Sequence, residues 1–346
     1  MIPALNPGNS LTTYVDTLIS KGYGHILVID DGSRDEFRPV FDALEKKTEC
    51  TILRHGINLG KGRALKDAMK YYLENFSGSL NGMITVDSDG QHTVPDVDKV
   101  AHALDEHPLS LVLGARDFAT KNVPWKSSFG NKCTRIIMKL FIGGDIHDTQ
   151  TGLRGIPNSL IERYSDLTGD RFEYETVMLM DAIRSKTPIT EVTIETVYID
   201  GNSETHFHPV IDSFKIYRVI LGTFLKYLLS SLSSFVVDYG IFCALVFILQ
   251  KTDMTQSRLV WISTAIARIC SSLFNYTVNR NVVFQSKRGN ITILMYYTLC
   301  IAQAACSAAL VSLIGSAHLP VQWAKILVDS ILFMISYRIQ KSIIFR

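Results

Sequence analysis

Two hydrophobic rhythms divide the chain. Up to about Tyr217, short apolar runs of strand length alternate with segments whose apolar positions recur every three or four residues. Ile2-Pro3-Ala4-Leu5 has the character of a strand tail, and Asn9 or Ser10 is placed to cap a helix running to about Ser20. His25–Ile29 and Cys50–Leu53 are predicted strands, and Ala64, Leu65, Ala68, Met69 and Tyr72 mark one face of a helix. Gly82–Val86 is a further strand, followed by a helix from about Val97 to Leu104 and a strand at Leu109–Leu113. This alternation predicts βαβ units: an α/β domain on a Rossmann-like, mostly parallel sheet.

Beyond Leu221 the rhythm changes. Four apolar stretches, about 224–249, 258–281, 291–314 and 321–342, each approach the roughly 20 residues needed to cross a bilayer. They predict an all-α domain of four transmembrane helices. Basic residues gather at one set of ends, Arg280, Lys287 and Arg288 after the second stretch and Arg338, Lys341 and Arg346 at the last. With four spans, those ends share the side of the first domain, which puts it and both termini in the cytosol of a multi-pass protein of the cell membrane. Between the two rhythms, apolar positions from Val210 to Ile220 alternate with Asp212, Lys215 and Arg218, the pattern of a helix lying at a membrane surface. The expected division is therefore 1–205, a juxtamembrane segment 206–222, and 223–346.

Composition narrows the function. The chain has 346 residues, a mean hydropathy of +0.16 and a net charge of +2, and no basic stretch is interleaved with aromatics, which argues against a nucleic-acid partner. The six cysteines form no C-x-x-C pair and suit a reduced protein without zinc or disulfides. Met1-Ile2-Pro3 shows neither the basic nor the apolar region of a signal peptide.

Candidate chemistry sits at the strand ends. Asn6-Pro7-Gly8, Asp30-Asp31-Gly32-Ser33, Asp87-Ser88-Asp89-Gly90 and Gly114-Ala115-Arg116-Asp117 each follow a strand. In a parallel sheet these ends converge on one crevice, where open α/β folds bind ligands. Alone, Asp87-Ser88-Asp89 would be an acidic turn. With three other loops on the same edge it becomes a pair of hard oxygen ligands suited to Mg²⁺ or Mn²⁺. Lys61, between two glycines at a helix start, is placed for phosphate.

Pro3-Ala4-Leu5-Asn6, Asp30-Asp31-Gly32-Ser33, Asn58-Leu59-Gly60-Lys61-Gly62 and Asp87-Ser88-Asp89 resemble, in order and spacing, glycosyltransferase family 2 with its GT-A fold. Gln91-His92 and Asp148-Thr149-Gln150-Thr151-Gly152-Leu153-Arg154-Gly155 narrow the likeness to the dolichyl- and polyprenyl-phosphate sugar transferases. Lys226-Tyr227-Leu228, Val237-Asp238-Tyr239-Gly240, Asn275-Tyr276-Thr277-Val278-Asn279-Arg280 and Val283-Phe284 resemble the GtrA-like membrane family, some of whose members are proposed to move lipid-linked sugars. The resemblance implies inverting, metal-dependent hexosyl transfer from a UDP- or GDP-linked sugar to an undecaprenyl-type phosphate, serving cell-surface polymers and compatible with coupled lipid translocation. Membrane lipids are partners, and a homo-oligomer is compatible with it.

The same resemblance distributes roles. Asp87, Asp89 and Gln91 would hold the metal; Pro3, Ala4, Asn6, Asp30, Asp31, Gly60 and Lys61 the nucleotide; Arg116, Lys126 and Ser128 the acceptor phosphate. Asp148, Arg154, Glu173, Glu175 and Ser203 are further candidates, Glu173 and Glu175 equally explained as acids at a helix start. His206 and His208 suit a loop over the donor better than a metal site. Arg135 fits either a phosphate contact or a solvated face. Two departures stand out: the first strand is short, so the true start would lie upstream if it is not simply weak near Pro3, and Pro7 replaces the family's acid after Asn6. The alternatives are a processive polysaccharide synthase, whose Q-x-x-R-W motif is missing here, and a non-catalytic nucleotide sensor regulating a lipid flippase.

Overall fold

A computed structural model describes the chain except residues 118–124, 196–210, 253, 290 and 316–319, and except the side chains of 125–127, 314, 315 and 321. It forms two compact units, Met1–Ile220 and Leu221–Arg346.

The first unit runs β1 (Ile2–Ala4), α1 (Ser10–Ser20), β2 (Ile26–Asp30), α2 (Arg38–Glu45), β3 (Cys50–Arg54), α3 (Lys61–Asn75), β4 (Gly82–Thr85), α4 (Val94–Glu106), β5 (Leu111–Arg116), α5 (Trp125–Phe141), β6 (Arg154–Pro157), α6 (Asn158–Ser165), α7 (Glu173–Ser185) and β7 (Ile189–Ile194). β1, β2 and β3 pair in parallel in that order, and β4, β6, β5 and β7 form the other part of the sheet. The two parts join at their first strands: Met1 N–H donates to the Ile84 carbonyl at 2.8 Å and Val86 N–H to the Met1 carbonyl at 3.0 Å, a parallel pattern.

β6 departs from the expected parallel sheet. It runs antiparallel between β4 and β5, with Thr85 opposite Arg154 and Leu113 opposite Arg154. The sheet is mixed, and the reversal matters: the start of β6, not its end, lies on the edge where β1, β2, β4 and β5 finish. The core beneath is mainly aliphatic, with Val28, Leu44, Val100, Val112 and Leu153 fully buried alongside Phe41 between helices and sheet. At about 25 cal/mol per Å² of apolar surface, each such side chain contributes on the order of 2 kcal/mol. α4 starts on Thr93, whose hydroxyl accepts from Asp96 N–H at 3.3 Å while Pro95 occupies the first turn.

The second unit begins within α8 (Ile211–Leu249) and continues with α9 (Gln256–Val278), α10 (Ile291–Gly315) and α11 (Val321–Ile339). From Ile211 the juxtamembrane stretch is continuous with the first apolar helix; its earlier residues lie outside those described. All four helices form, but among the described residues only α8 and α10 are long and apolar enough by themselves to cross a membrane. α9 carries Arg258 and Arg268, and α11 carries Lys325, Asp329 and Arg338, so the expectation of four independently apolar spans is corrected to two. Arg268 lies 3.7 Å from Asp238 on α8, which also accepts from Ser271 at 2.9 Å, so these two mid-helix charges pair with each other. The six cysteines are free, and Cys243, Cys270 and Cys306 face outward.

Candidate active site

Asp87 follows β4 and packs against Gly152, the residue two before β6. Thr85 fixes the approach by donating its hydroxyl to the Gly152 carbonyl at 2.8 Å. A Cβ on Gly152 would fall 2.1 Å from Asp87 Oδ2, so only glycine admits the carboxylate. On its other side Asp87 Oδ1 meets Lys61 Nζ at 2.6 Å, and the same ammonium reaches Glu175 Oε2 at 3.0 Å. His92 Nε2 completes the ring, 3.7 Å from Asp87 Oδ2.

Two glycines bring Lys61 there. Gly60 has φ +103°, and a Cβ on it would lie 2.4 Å from the Asp170 carbonyl; one on Gly62 would lie 2.5 Å from Tyr174 Cβ. The first turn of α3 is thereby pressed against the segment leading into α7, which presents Glu175 to Lys61. Beneath, Arg154 is almost wholly buried and ties the pieces together, donating Nε to the Thr151 carbonyl at 3.0 Å and Nη1 to the Glu175 carbonyl at 2.8 Å. Its Nη2 and the Nδ1 of His92 are buried without a hydrogen-bond partner. A buried guanidinium donor and a buried ring nitrogen, both unpartnered beside a carboxylate pair, mark where a polar ligand would complete the set.

The electrostatics follow from this packing. Burial disfavours the charged form of Lys61, but Asp87 and Glu175 outweigh it and raise its pKa. Burial likewise pushes Asp87 up, yet Lys61 and His92 hold it well below the usual carboxylate range. Asp89 moves the other way: burial and the neighbouring Asp87 charge raise it, opposed by the Gln91 N–H that its Oδ1 accepts at 3.1 Å. Among the described residues Asp87 has a cation in contact and Asp89 has none.

That deficit of positive charge beside two hard oxygen donors fits a divalent cation. Among the described residues no group of three or more His, Cys, Asp or Glu is arranged to hold one. The protein would thus supply Asp87, Asp89 and the side chain of Gln91, and leave other positions to phosphate oxygens and water, the habit of Mg²⁺ and Mn²⁺.

Other expected site residues fall into place unequally. Asn6 (φ 51°) donates its N–H to Ser33 Oγ at 2.9 Å and accepts from Arg34 N–H at 2.9 Å, clasping the end of β1 to the loop after β2. Pro3 and Ala4 are buried in β1, and Ala4 accepts from Asp31 N–H. Asp30 Oδ1 accepts Ser33 N–H at 2.9 Å, a side-chain bond that closes the loop after β2 and leaves the residue half-buried at the crevice. Asp31 is different from the expectation. It is buried, and its oxygens accept Leu59 N–H at 2.9 Å and Gly60 N–H at 2.8 Å and meet His55 Nδ1 at 2.7 Å. This carboxylate holds the glycine loop to the end of β2.

Arg116 also differs. Its guanidinium is bidentate to Asp148, at 2.6 and 3.0 Å, and its own N–H reaches the same carboxylate at 3.2 Å. Asp148 is fully buried, so the acceptor-phosphate candidate Arg116 and the further candidate Asp148 neutralise each other. Glu173 accepts the N–H groups of Asp170 and Arg171, both at 3.3 Å, as an acid at a helix start does. Arg135 and Lys139 pair with Asp145 on the surface, the solvated-face alternative. Ser128 is partly exposed on α5, while the side chain of Lys126, and Ser203, His206 and His208 altogether, lie outside the described residues. Sequence reasoning missed His55, which links Asp31 to Asp67 3.4 Å away, and the role of Gly152; neither has a periodic or spacing signal.

Comparison with known proteins agrees with this geometry. Residues 1–165 match the model of glycosyl transferase family 2, and residues 216–345 match the GtrA/DPMS transmembrane domain. An uncharacterized protein of Methanocaldococcus jannaschii is 30% identical over 220 residues, covering 62% of this chain and 87% of its own. The UDP-N-acetylglucosamine–dolichyl-phosphate N-acetylglucosaminyltransferase of Methanococcus voltae is 28% identical over 241 residues, 64% of this chain and 94% of that protein. A dolichyl-phosphate β-glucosyltransferase of Drosophila melanogaster is 24% identical over 230 residues, 60% of this chain and 69% of that one.

Proposed function

The chain carries a glycosyltransferase family 2 domain fused to a GtrA/DPMS-type transmembrane domain, and from that premise we propose that it transfers a sugar from a nucleotide-diphosphate sugar to a polyprenyl phosphate at the cytosolic membrane face. The named relatives above act on dolichyl phosphate, which supports the acceptor class. The observation that carries the reading is the Lys61–Asp87–Glu175 cluster with the undercompensated Asp89 beside it, on the edge where parallel strands end.

In the reaction an acceptor phosphate oxygen attacks the anomeric carbon as its bond to the diphosphate breaks, with inversion. That oxygen is already ionised at neutral pH, so a strong general base is not required. Negative charge grows on the departing diphosphate, and its stabilisation is the largest electrostatic demand. A divalent cation held by Asp87, Asp89 and Gln91 would supply Lewis-acid neutralisation there. Lys61 adds a fixed positive charge, and Arg154 offers its unpartnered Nη2 N–H group from below. Asn6 and Asp30, with Gly60 at the start of α3, form the wall for base and ribose. Ser128 and Lys126 on α5 are the acceptor-phosphate donors, since Arg116 is committed to Asp148.

The GT-A architecture, crossing by all four helices, a cytosolic location for both termini, and the division near residues 205 and 222 belong to the same reading. Of the charges on α9 and α11, Arg268 is offset by Asp238 and Lys325 by Asp329, which supports their crossing as part of a bundle. Purified protein supplied with UDP- or GDP-sugars, Mg²⁺ or Mn²⁺ and polyprenyl phosphate tests the proposal. Extractable lipid-linked monosaccharide is the expected product. Polymer would replace it with the synthase, and nucleotide binding without turnover with the regulatory sensor.

A further inference from the structure

The last two helices repeat the two before them. Tyr276-Thr277-Val278-Asn279-Arg280-Asn281-Val282-Val283-Phe284 at the end of α9 aligns without a gap on Tyr337-Arg338-Ile339-Gln340-Lys341-Ser342-Ile343-Ile344-Phe345 at the end of α11, and only the second position changes chemical class. Both helices close in the same unusual way, with π-helical turns at Asn279–Val283 and Gln340–Ile344. Such turns are rare and cluster at functional sites. In each, the phenylalanine N–H donates back to the carbonyl of the amide residue, Phe284 to Asn279 at 2.9 Å and Phe345 to Gln340 at 2.8 Å.

The contacts are related by a twofold as well. Tyr227 of α8 lies 5.4 Å from Tyr337, and Tyr296 of α10 lies 5.5 Å from Tyr276. Tyr227 donates to Ser336 at 3.3 Å, and Tyr296 donates to Asn275, the equivalent position, at 2.8 Å. Eleven residues further along α8 and α10, Asp238 meets Arg268 at 3.7 Å while Ser307 meets Asp329 at 2.6 Å, again equivalent pairs. The axis runs where equivalent residues touch each other: Asn279 Nδ2 donates to Gln340 Oε1 at 3.1 Å, and the rings of Phe284 and Phe345 stack at 5.4 Å and 15°.

Next to each axial amide stands a cation. Arg280 Nη1 lies 3.4 Å from the hydroxyl of Tyr276, and Lys341 Nζ lies 5.8 Å from the ring of the equivalent Tyr337. Arg288 ties the halves by donating Nη1 to the Ile343 carbonyl, and Arg280 Nη2 donates to the Arg288 carbonyl at 2.7 Å. Neither 279–290 nor 336–346 contains an aspartate or glutamate, so both turns are basic in sequence. Arg280 Nε and Asn279 Oδ1 are buried without a partner. We propose that this membrane unit is a tandem duplication of one helical hairpin, and that its two π-turned ends form one twofold-related site for the phosphate group of a lipid, with Arg280 and Lys341 as equivalent cations. The inference does not depend on the transferase reading.

Native mass spectrometry of the purified 346-residue chain tests it, with phosphatidylglycerol in one arm and farnesyl phosphate in the other, each against a phosphatidylcholine background. Each of R280Q and K341Q should weaken binding of the responsive lipid about fivefold, and the pair about 25-fold, from roughly 1 kcal/mol per cation near a membrane surface. Loss in the first arm identifies a bilayer phospholipid and loss in the second a lipid monophosphate; both support the site. Unchanged binding in the double variant overturns it, and loss in R280Q with K341Q inert overturns the twofold equivalence. Where the glutamine pair does not yield monodisperse protein, R280K/K341R should bind like the parent, and parent binding indifferent to salt refutes the proposal.

Discussion

Gly152→Ala isolates the placement of Asp87 from the presence of Asp87. The added Cβ would lie 2.1 Å from Asp87 Oδ2, 2.6 Å from Cγ and 2.7 Å from Oδ1, so every atom of the carboxylate is in the way. Backbone relief is restricted, because the Gly152 carbonyl accepts from Thr85 and the next residues enter β6. The side chain must swing, and in doing so leaves Lys61, now 2.6 Å away. Lys61 keeps Glu175 at 3.0 Å and is not stranded, so the stability cost is that of local overpacking, about 1–3 kcal/mol. Catalysis suffers more: a displacement of about 1 Å in a positioning group costs roughly 100-fold. The assay is initial-rate formation of lipid-linked sugar, with thermal unfolding measured on the same preparation. Gly155→Ala is the control, since its Cβ would come no nearer than 3.2 Å, to Val100 Cγ1, and lies away from the carboxylates. Activity of G152A within threefold of the parent would refute the reasoning.

Four further outcomes follow from the same geometry. Asp89→Asn should lower transfer by at least about 100-fold while leaving the melting temperature unchanged or slightly raised, because it removes a buried charge set against Asp87; retained turnover contradicts its role. Asp148→Asn leaves the Arg116 guanidinium without its buried counter-charge and should cost about 3–5 kcal/mol in denaturant unfolding. Asp31→Asn should destabilise the fold by about 1–3 kcal/mol, since one oxygen cannot serve all its present donors, whereas Asp30→Asn should spare stability and raise KM for the nucleotide sugar. Lys66 hydrogen-bonds Asp170 at 2.6 Å and holds its carboxyl below the usual range, so that pair's stabilisation is present above the unfolded carboxyl value and fades as pH falls through the lower folded one. Asp170 is 58% exposed, which limits the effect to well under 1 kcal/mol, and Asp170→Asn should flatten the acid limb of the stability profile by no more than that.

The strand ends were legible because each apolar run stops abruptly at a glycine or carboxylate, a contrast that survives in sequence. β6 was not, since Arg154-Gly155-Ile156-Pro157 contains glycine, proline and a charge in four residues and shows no alternation. Its antiparallel insertion is a matter of tertiary pairing with β4 and β5. The fifth strand was expected two residues early: Leu109 is 68% exposed, while the strand continues through Gly114, where Leu153 and Ile194 close in to about 3 Å of the missing Cβ. The division of labour between Asp30 and Asp31 was invisible for a different reason. Adjacent carboxylates in a turn are chemically alike, and only the donors brought by a loop some 28 residues away decide which is consumed. Arg116 was expected at the acceptor phosphate because nothing in a linear pattern reports that it and Asp148, 32 residues away, satisfy each other.

Glu175 gives the site its remaining logic. If Asp87 alone held Lys61, a divalent cation arriving at Asp87 would have to compete with an ammonium that, once displaced, had no counter-charge in a buried setting, and the desolvation penalty of that lone charge would count against binding. With Glu175 already 3.0 Å away, Lys61 gives up one partner and keeps the other. Arg154 holds Glu175 in register through its backbone carbonyl, and the glycines at 60 and 62 keep α3 close enough for the lysine to span both acids. The pair Lys61–Glu175 is thus neutral and self-sufficient, which frees Asp87 and Asp89 to act together as a doubly negative site. A neutral buried pair beside an unneutralised one is an arrangement that favours a doubly charged ligand over a singly charged one. That is what a diphosphate donor travelling with Mg²⁺ or Mn²⁺ requires.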